Sequence, residues 1–296
     1  MNLRDKKHLQ MKIYFTNFWP GFNIYHNFFT YIFQKCGITY KITSENPDII
    51  FFSRFGNYNL EQNIINNENI KFKKYQNAVL IFYSGENLRP LKSVDLNITY
   101  DITTKNNIRC PVWLFENYMK DLSNLKLTPK TNYKFCCFVY SNNISNRNKF
   151  CQELSKYKKI DCGGKCLNNI KYRVNDKIQF QTNYKFCIAY ENESYPGYTT
   201  EKILDAYLSN CIPIYYGSSK TYLDFNPETY INAHDFKDND DLIEYIKKID
   251  QNDELYSTFM NKNILSSEWI YRINNNTFYK DLTDNIIKIL KNKNYF

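Results

Sequence analysis

Between Tyr184 and Ser218 the chain reads YKFCIAYENESYPGYTTEKILDAYLSNCIPIYYGS, and its residue types and spacing could build an anion site. Tyr184–Tyr190 is an apolar, strand-like run. The loop Glu191–Thr199 is polar. In Thr200–Asn210, Ile203, Leu204, Tyr207 and Leu208 fall on one helical face. Ile212–Tyr216 is a second strand, ending at Gly217. The loop therefore leaves the C-terminal end of a buried strand and enters a helix N-terminus near Thr199 and Thr200. Unpaired backbone N–H groups and the positive dipole end there attract anions. Lys202 lies in the first turn, where a cation is unfavourable until a phosphate stands in front of it. Glu201 is an ordinary first-turn carboxylate. A plain strand–loop–helix crossover fits the same spacing, and spacing does not separate the two readings. The one close cysteine pair, Cys162-Gly-Gly-Lys-Cys166, has no second ligand pair, and His8, His26 and His234 are far apart. It reads as free thiols beside a glycine turn, with no metal expected.

The elements that must carry this site alternate between strand-like and helix-like segments, which argues an α/β class. In the first half, strands are expected at Lys12–Thr16, Ile38–Ile42, Asp48–Ser53 and Ala78–Ser84. A helix over Ile24–Cys36 stops at Gly37. The polar region Asn57–Asn77 reads as helical in part, and Asn97–Asp101 and Pro111–Phe115 as further strand pieces. The stretch Lys120–Asn132, with Pro129, reads as a connection. The second half restarts the rhythm with strands at Lys134–Tyr140, Lys159–Cys162, Tyr184–Tyr190 and Ile212–Tyr216. Helices are expected at Asn146–Tyr157, Thr200–Asn210, Asp240–Asp250, Asp253–Asn263 and Asp281–Lys293. Two consecutive α/β halves predict two doubly wound domains facing across a cleft, with ligands beyond the C-terminal strand ends. The expected division is 1–126, 127–264 and a C-terminal helical segment 265–296 that packs back on the first domain.

Composition excludes several classes. An apolar fraction of 43% with 18% aromatics is too rich for a disordered chain. Eight glycines and eight prolines exclude collagen-like and linker-like sequence. The longest apolar run, Ala78–Tyr83, is strand-sized, far below the roughly 20 residues of a membrane span. The N-terminus has no signal-peptide core. Nine scattered cysteines suit reduced core thiols. The chain therefore reads as soluble and cytoplasmic. A net charge of +9 fits an anionic partner without saying which.

The wording of the Tyr184–Ser218 segment goes further than its spacing. Tyr190-Glu191-Asn192, Tyr198-Thr199-Thr200-Glu201-Lys202, Ile212-Pro213-Ile214 and Gly217-Ser218 resemble the donor-binding signature of the α-1,3-fucosyltransferase family. Asp224-Phe225-Asn226-Pro227 and His234-Asp235-Phe236 resemble the same family, especially its bacterial members. Phe15-Thr16-Asn17-Phe18-Trp19-Pro20-Gly21-Phe22 looks like its opening strand and loop. Tyr75-Gln76-Asn77-Ala78 and Phe82-Tyr83-Ser84-Gly85-Glu86-Asn87 look like its central N-domain strand and following turn. The resemblance runs in order through most of the chain.

It implies two Rossmann-like domains of the GT-B type and inverting transfer of fucose from GDP-fucose to N-acetylglucosamine in a glycan, at O3. By motif match, Glu86 is the general base that accepts the acceptor hydroxyl's proton. Arg147 and Lys202 hold the leaving diphosphate. Asn192, Tyr198 and Glu201 contact the fucose and ribose-phosphate, with Glu201 balancing the oxocarbenium-like charge. Tyr172 and Val174 line the guanine pocket, and the loop Phe18–Phe22 faces the acceptor. No cofactor is required beyond the donor, and a divalent metal would stimulate without a dedicated site. Thr199 stands where relatives carry Val or Ile, and Tyr190 where Phe is common. The C-terminal heptads of bacterial relatives are missing, which leaves the oligomeric state open. The terminal helix carries Lys288, Lys291 and Lys293 beside Ile286, Ile287 and Leu290, a face for peripheral membrane contact or for packing on the first domain. The same fold with another GDP-sugar or acceptor is the alternative. A nucleic-acid or glycan-binding protein ranks below it, because the basic residues are spread along the chain and no nucleic-acid motif is present.

Overall fold

A computed structural model describes residues 10–55, 62–66, 69–72, 75, 77–293 and 295. His8 and Gln76 therefore lie outside the described residues. The chain forms two compact units, 1–118 with 275–296, and 119–274.

The first unit starts with β1 (Met11–Thr16), where Met11, Ile13 and Phe15 are buried and Lys12 is exposed, the alternation a strand imposes. Helix α1 (Phe28–Lys35) is opened by a capping box between Asn27 and Thr30. Then come β2 (Tyr40–Ile42), β3 (Ile49–Phe52), β4 (Gln62–Asn66), β5 (Asn69–Phe72), β6 (Val79–Tyr83), β7 (Leu96–Thr99), β8 (Asn107–Arg109) and α2 (Val112–Asn117). Six strands form one sheet, β2-β1-β3-β6-β7-β8, in which every pair is parallel. The order reverses between β1 and β3, and open α/β sheets bind ligands beyond the carboxyl ends at such a point. There Phe55 N–H donates to the Asn17 carbonyl at 2.9 Å. Phe29 stacks on Phe51 at 4.4 Å and Phe51 on Phe15 at 5.2 Å. At roughly 1.5–3 kcal/mol for each buried phenyl side chain, these rings are core.

The second unit contains β9 (Lys134–Phe138), α3 (Ser145–Leu154), β10 (Ile160–Cys162), α4 (Lys177–Gln181), β11 (Tyr184–Tyr190), α5 (Glu201–Leu208), β12 (Ile212–Tyr216), β13 (Ile231–Asn232), α6 (Asn239–Gln251), α7 (Asp253–Ser257) and α8 (Ser267–Asn274). Its sheet, β10-β9-β11-β12-β13, is again parallel throughout. It reverses between β9 and β11. All seven residues of β11 are buried, as a central parallel strand covered on both faces must be. The chain then returns to the first unit with α9 (Thr277–Asn292). There Phe278 and Tyr279 approach Phe28, each with ring centroids 6.5 Å away.

Three expectations are corrected. Pro111–Phe115 is not a strand: Pro111 precedes helix α2, whose Val112–Phe115 are all buried. A short apolar run buried on every side carries no period to tell the two apart. The described parts of Asn57–Asn77 are not helical but pair as the antiparallel ribbon β4–β5, which suits the β-branched Ile64, Ile65 and Ile70. The helix expected over Asp253–Asn263 ends at Ser257. Beyond it Asn261 N–H donates to Leu127 O at 2.8 Å and Ile264 N–H to Leu125 O at 3.1 Å, so the backbone is drawn into pairing with residues 125–127.

Two lysines are structural rather than solvated. Lys130 Nζ donates to the carbonyls of Thr182, Tyr184 and Ser209 at 2.8–3.1 Å. Lys185 is buried, donates to the Ile249 and Asp250 carbonyls at the end of α6, and lies 4.5 Å from the Tyr256 ring centroid. A cation at a helix C-terminus complements its dipole.

Candidate active site

In the second unit the loops after β9 and β11 meet at the reversal of the sheet. Arg147, on α3 just after β9, points under the loop after β11. Its Nη1 donates to the Asn192 Oδ1 at 3.1 Å and the Tyr190 carbonyl at 3.3 Å, and its Nη2 to the Asn142 carbonyl at 2.8 Å. The guanidinium stacks on Tyr140, 3.7 Å from the ring centroid. Arg147, near the start of the expected helix Asn146–Tyr157, is 1% exposed; its Nη atoms are held by carbonyls, Asn192 and a ring, and its Nε has no protein partner.

Tyr140 links Arg147 to the turn after β10. A Cβ on Gly164 would lie 1.9 Å from the Tyr140 carbonyl oxygen, and one on Gly163 would lie 2.4 Å from Val174 Cγ2. Only glycines permit these approaches. The Val174 N–H donates to the Gly163 carbonyl at 2.9 Å, which docks the Tyr172–Val174 loop on this turn. Tyr172 itself is 60% exposed.

The other half of the site is the entry to α5. Thr200 is the N-cap. Glu191, the first residue after β11, has a side chain of 0% exposure. Its Oε1 accepts from the Thr200 N–H at 2.8 Å and its Oε2 from the Thr200 hydroxyl at 2.8 Å. Lys202 Nζ lies 3.0 Å from Glu191 Oε2, 3.0 Å from Thr200 Oγ1 and 3.3 Å from Glu201 Oε1. A cation in the first turn is thus balanced by two carboxylates. Lys202, expected to be unfavourable in the first turn until a phosphate stands in front of it, is already paired with Glu191 and Glu201. A Cβ on Gly217 would lie 2.4 Å from Glu191 Cγ, so this glycine leaves room for that carboxylate.

Burial and charge compete at these groups. Burial disfavours the Lys202 ammonium, but Glu191 and then Glu201 outweigh it and hold the lysine protonated. Burial pushes Glu201 up, but Lys202 and then Lys177 outweigh it and pull Glu201 below its ordinary value. At Glu191 burial wins, and Lys202 offsets it only in part, so its carboxyl is raised. Tyr198 is buried, and its carbonyl accepts from the Tyr215 hydroxyl at 3.3 Å. The loop is tied down by Asp224 and Ser218, whose motifs by themselves show no partner. Asp224 accepts from the Thr199 hydroxyl at 2.7 Å and from Trp269 Nε1 at 2.9 Å. The Ser218 hydroxyl accepts from the Gly197 N–H at 2.8 Å. Asp224 and Ser218 stand inside the quoted motifs, but their partners are remote in sequence.

In the first unit Glu86 follows β6 and is exposed. Its N–H donates to the Ser84 hydroxyl at 3.2 Å, and its carboxylate makes no hydrogen bond or ion pair with the described residues. Tyr83 stacks on Phe115 at 3.8 Å. Phe115, Trp19, Phe22, Phe28, His26 and Glu116 help line a cavity of about 430 Å³ within this unit. Among the described residues no group of three His, Cys, Asp or Glu is arranged to hold a metal ion, and no helix is long and apolar enough to cross a membrane. All nine cysteines are free.

Residues 128–288 match the family model described as Glycosyltransferase family 10 (fucosyltransferase) C-term. Residues 13–116 match the Alpha-(1,3)-fucosyltransferase FucT N-terminal domain. The chain is 31% identical over 284 residues to the Alpha-(1,3)-fucosyltransferase FucT of Helicobacter pylori, a match covering 74% of this chain and 59% of that protein. It thus spans less than two thirds of that relative's length. A crystal structure of an α1,3-fucosyltransferase with GDP aligns at a TM-score of 0.74 and 26% identity, covering 98% of this chain and 93% of the other. One with GDP-fucose aligns at 0.69 and 27%, covering 91% and 90%.

Proposed function

The chain belongs to glycosyltransferase family 10, the fucosyltransferases, and from that membership we propose that it transfers fucose from GDP-fucose, with inversion, to O3 of N-acetylglucosamine in a lactosamine-type glycan. Its two parallel-sheet units share the GT-B fold of the aligned fucosyltransferases. The observation that carries the reading is the entry to α5, where a protonated lysine stands at a helix N-terminus. Two features that attract anions coincide there, and one aligned α1,3-fucosyltransferase structure contains GDP-fucose.

In this reaction the acceptor hydroxyl oxygen attacks the anomeric carbon of fucose. Its proton passes to the Glu86 carboxylate. The carbon–oxygen bond to the diphosphate breaks, and its electron pair leaves on GDP. Lys202 and the α5 amides take up the charge that develops on the diphosphate, and the carboxylate of Glu201 opposes the positive charge on the sugar ring. Arg147 meets the diphosphate once Asn192 turns from it toward the fucose. Tyr198 flanks the same loop, and Tyr172 and Val174 hold the guanine. Trp19 and the cavity beside it stand on the acceptor side, where aromatic faces suit sugar rings. The positive charge for the leaving group comes from the chain's own side chains in this reading, with no cofactor besides the donor. Nine reduced thiols fit a reducing compartment, so we place the protein in the cytoplasm.

The test is incubation with GDP-fucose and type 1 and type 2 lactosamine acceptors, with and without a chelator, followed by linkage analysis. A fucosylated product linked at O3 is expected. Turnover with GDP-mannose and none with GDP-fucose overturns the donor assignment. Tyr172→Ala tests the guanine contact. Because Tyr172 is exposed, its stability should change by no more than about 0.5 kcal/mol, while GDP binds several-fold more weakly by calorimetry. Unchanged GDP affinity removes Tyr172 from the pocket.

A further inference from the structure

Lys202 has three ammonium protons to donate, and the three acceptors around it are of unequal strength. Glu191 Oε2 and Thr200 Oγ1 are each at 3.0 Å, and Glu201 Oε1 is at 3.3 Å. The side chain of Glu191 is fully buried, that of Lys202 is 13% exposed and that of Glu201 35%. Glu191 is held in addition by the Thr200 amide and hydroxyl, in space that exists because Gly217 carries no Cβ. An anion that is to accept a hydrogen bond from Lys202 must displace one of the three partners. The one that water already reaches, at the longest distance, is Glu201.

We propose that Glu191 is the positioning residue of the donor site, fixing Lys202 against the α5 N-terminus, and that the donor's diphosphate displaces Glu201 from Lys202. This rests on the reading of the site as a nucleoside diphosphate-sugar site. Glu191 never touches the donor. It supplies a carboxylate that cannot leave, so Lys202 keeps its place when its outer partner is exchanged. Glu201, released from the lysine, is then free to turn toward the sugar ring. Donor binding and the placement of that carboxylate are one event, and the buried Glu191–Lys202 pair is its fixed half.

The test measures GDP and guanosine affinities by calorimetry for the full chain, E191Q, E201Q, K202A and the E191Q/K202A double variant, with E191D as the charge-retaining control. E201Q should bind GDP several-fold more tightly than the parent, because the competitor for the lysine is weakened, while its transfer rate falls. E191Q should bind GDP roughly tenfold more weakly with guanosine affinity unchanged, E191D should recover part of that loss, and in the K202A background the E191Q change should cost almost nothing further, as coupled residues require. A purely structural Glu191 would lower both affinities together. Additive losses in the double variant, or weaker GDP binding by E201Q, overturn the proposal. The E201Q arm decides it if E191Q does not fold. A parent protein that binds no GDP overturns the donor reading itself, whereas a parent that binds GDP with additive losses overturns only the role of Glu191.

Discussion

Glu86→Gln is expected to lower the rate of transfer by roughly 10³-fold, the scale set by loss of a general base, while GDP binding is unchanged. Gln keeps the shape of Glu and cannot accept the hydroxyl proton. Glu86 is exposed, its carboxylate has no partner among the described residues, and its main chain is held by the Ser84 hydroxyl. Stability should therefore move by no more than about 0.5 kcal/mol. Initial rates with GDP-fucose and a lactosamine acceptor, beside calorimetric GDP affinity, make the check. Turnover near the parental rate would remove Glu86 as the base. A joint loss of transfer and GDP binding would mean the substitution had disturbed more than proton transfer.

Lys202→Ala should cost about 3 kcal/mol of stability at neutral pH, the lower end for breaking one side of a buried ion pair, besides weakening GDP more than guanosine. The size follows from Glu191, left as a buried carboxylate whose remaining partners are the Thr200 amide and hydroxyl. Burial already raises the Glu191 carboxyl, and Lys202 is the group pulling it back down. Without the lysine it rises further. A carboxyl raised in the folded state binds its proton more tightly there than in the unfolded chain. The stability it contributes is present below the ordinary value of 4.5 and is lost as pH climbs through the folded value. The deficit of Lys202→Ala should accordingly be small near pH 4.5 and grow toward pH 7. Urea unfolding of parent and variant across that range checks it. A deficit equal at both ends would show that Glu191 does not carry the cost.

Much of the candidate site in the second unit was legible in the residues. Tyr184–Tyr190 and Ile212–Tyr216 have the ends that the sequence predicts, because each is an apolar run closed by polar or glycine residues. The helix after Thr200 was readable from Ile203, Leu204 and Tyr207, all of which are buried. Pro111–Phe115 was not readable, because a segment buried on all sides leaves no periodic trace. Glu191 stood in view, but a carboxylate after a strand looks solvated until the chain shows that a threonine nine positions on closes over it.

The sequence by itself determined the α/β class, the strand–loop–helix units and the family, since periodicity, turn residues and ordered motifs are properties of neighbours along the chain. The tertiary structure decided the states of the charges. It buried Arg147 between Tyr140 and the loop after β11, converted Lys202 from an unfavourable first-turn cation into the partner of a sealed carboxylate, and made Lys130 and Lys185 structural. The physical reason is that a charge's energy depends on its solvent exposure and on partners brought close by folding. For Arg147 and Asn192 those partners are 45 residues apart in sequence.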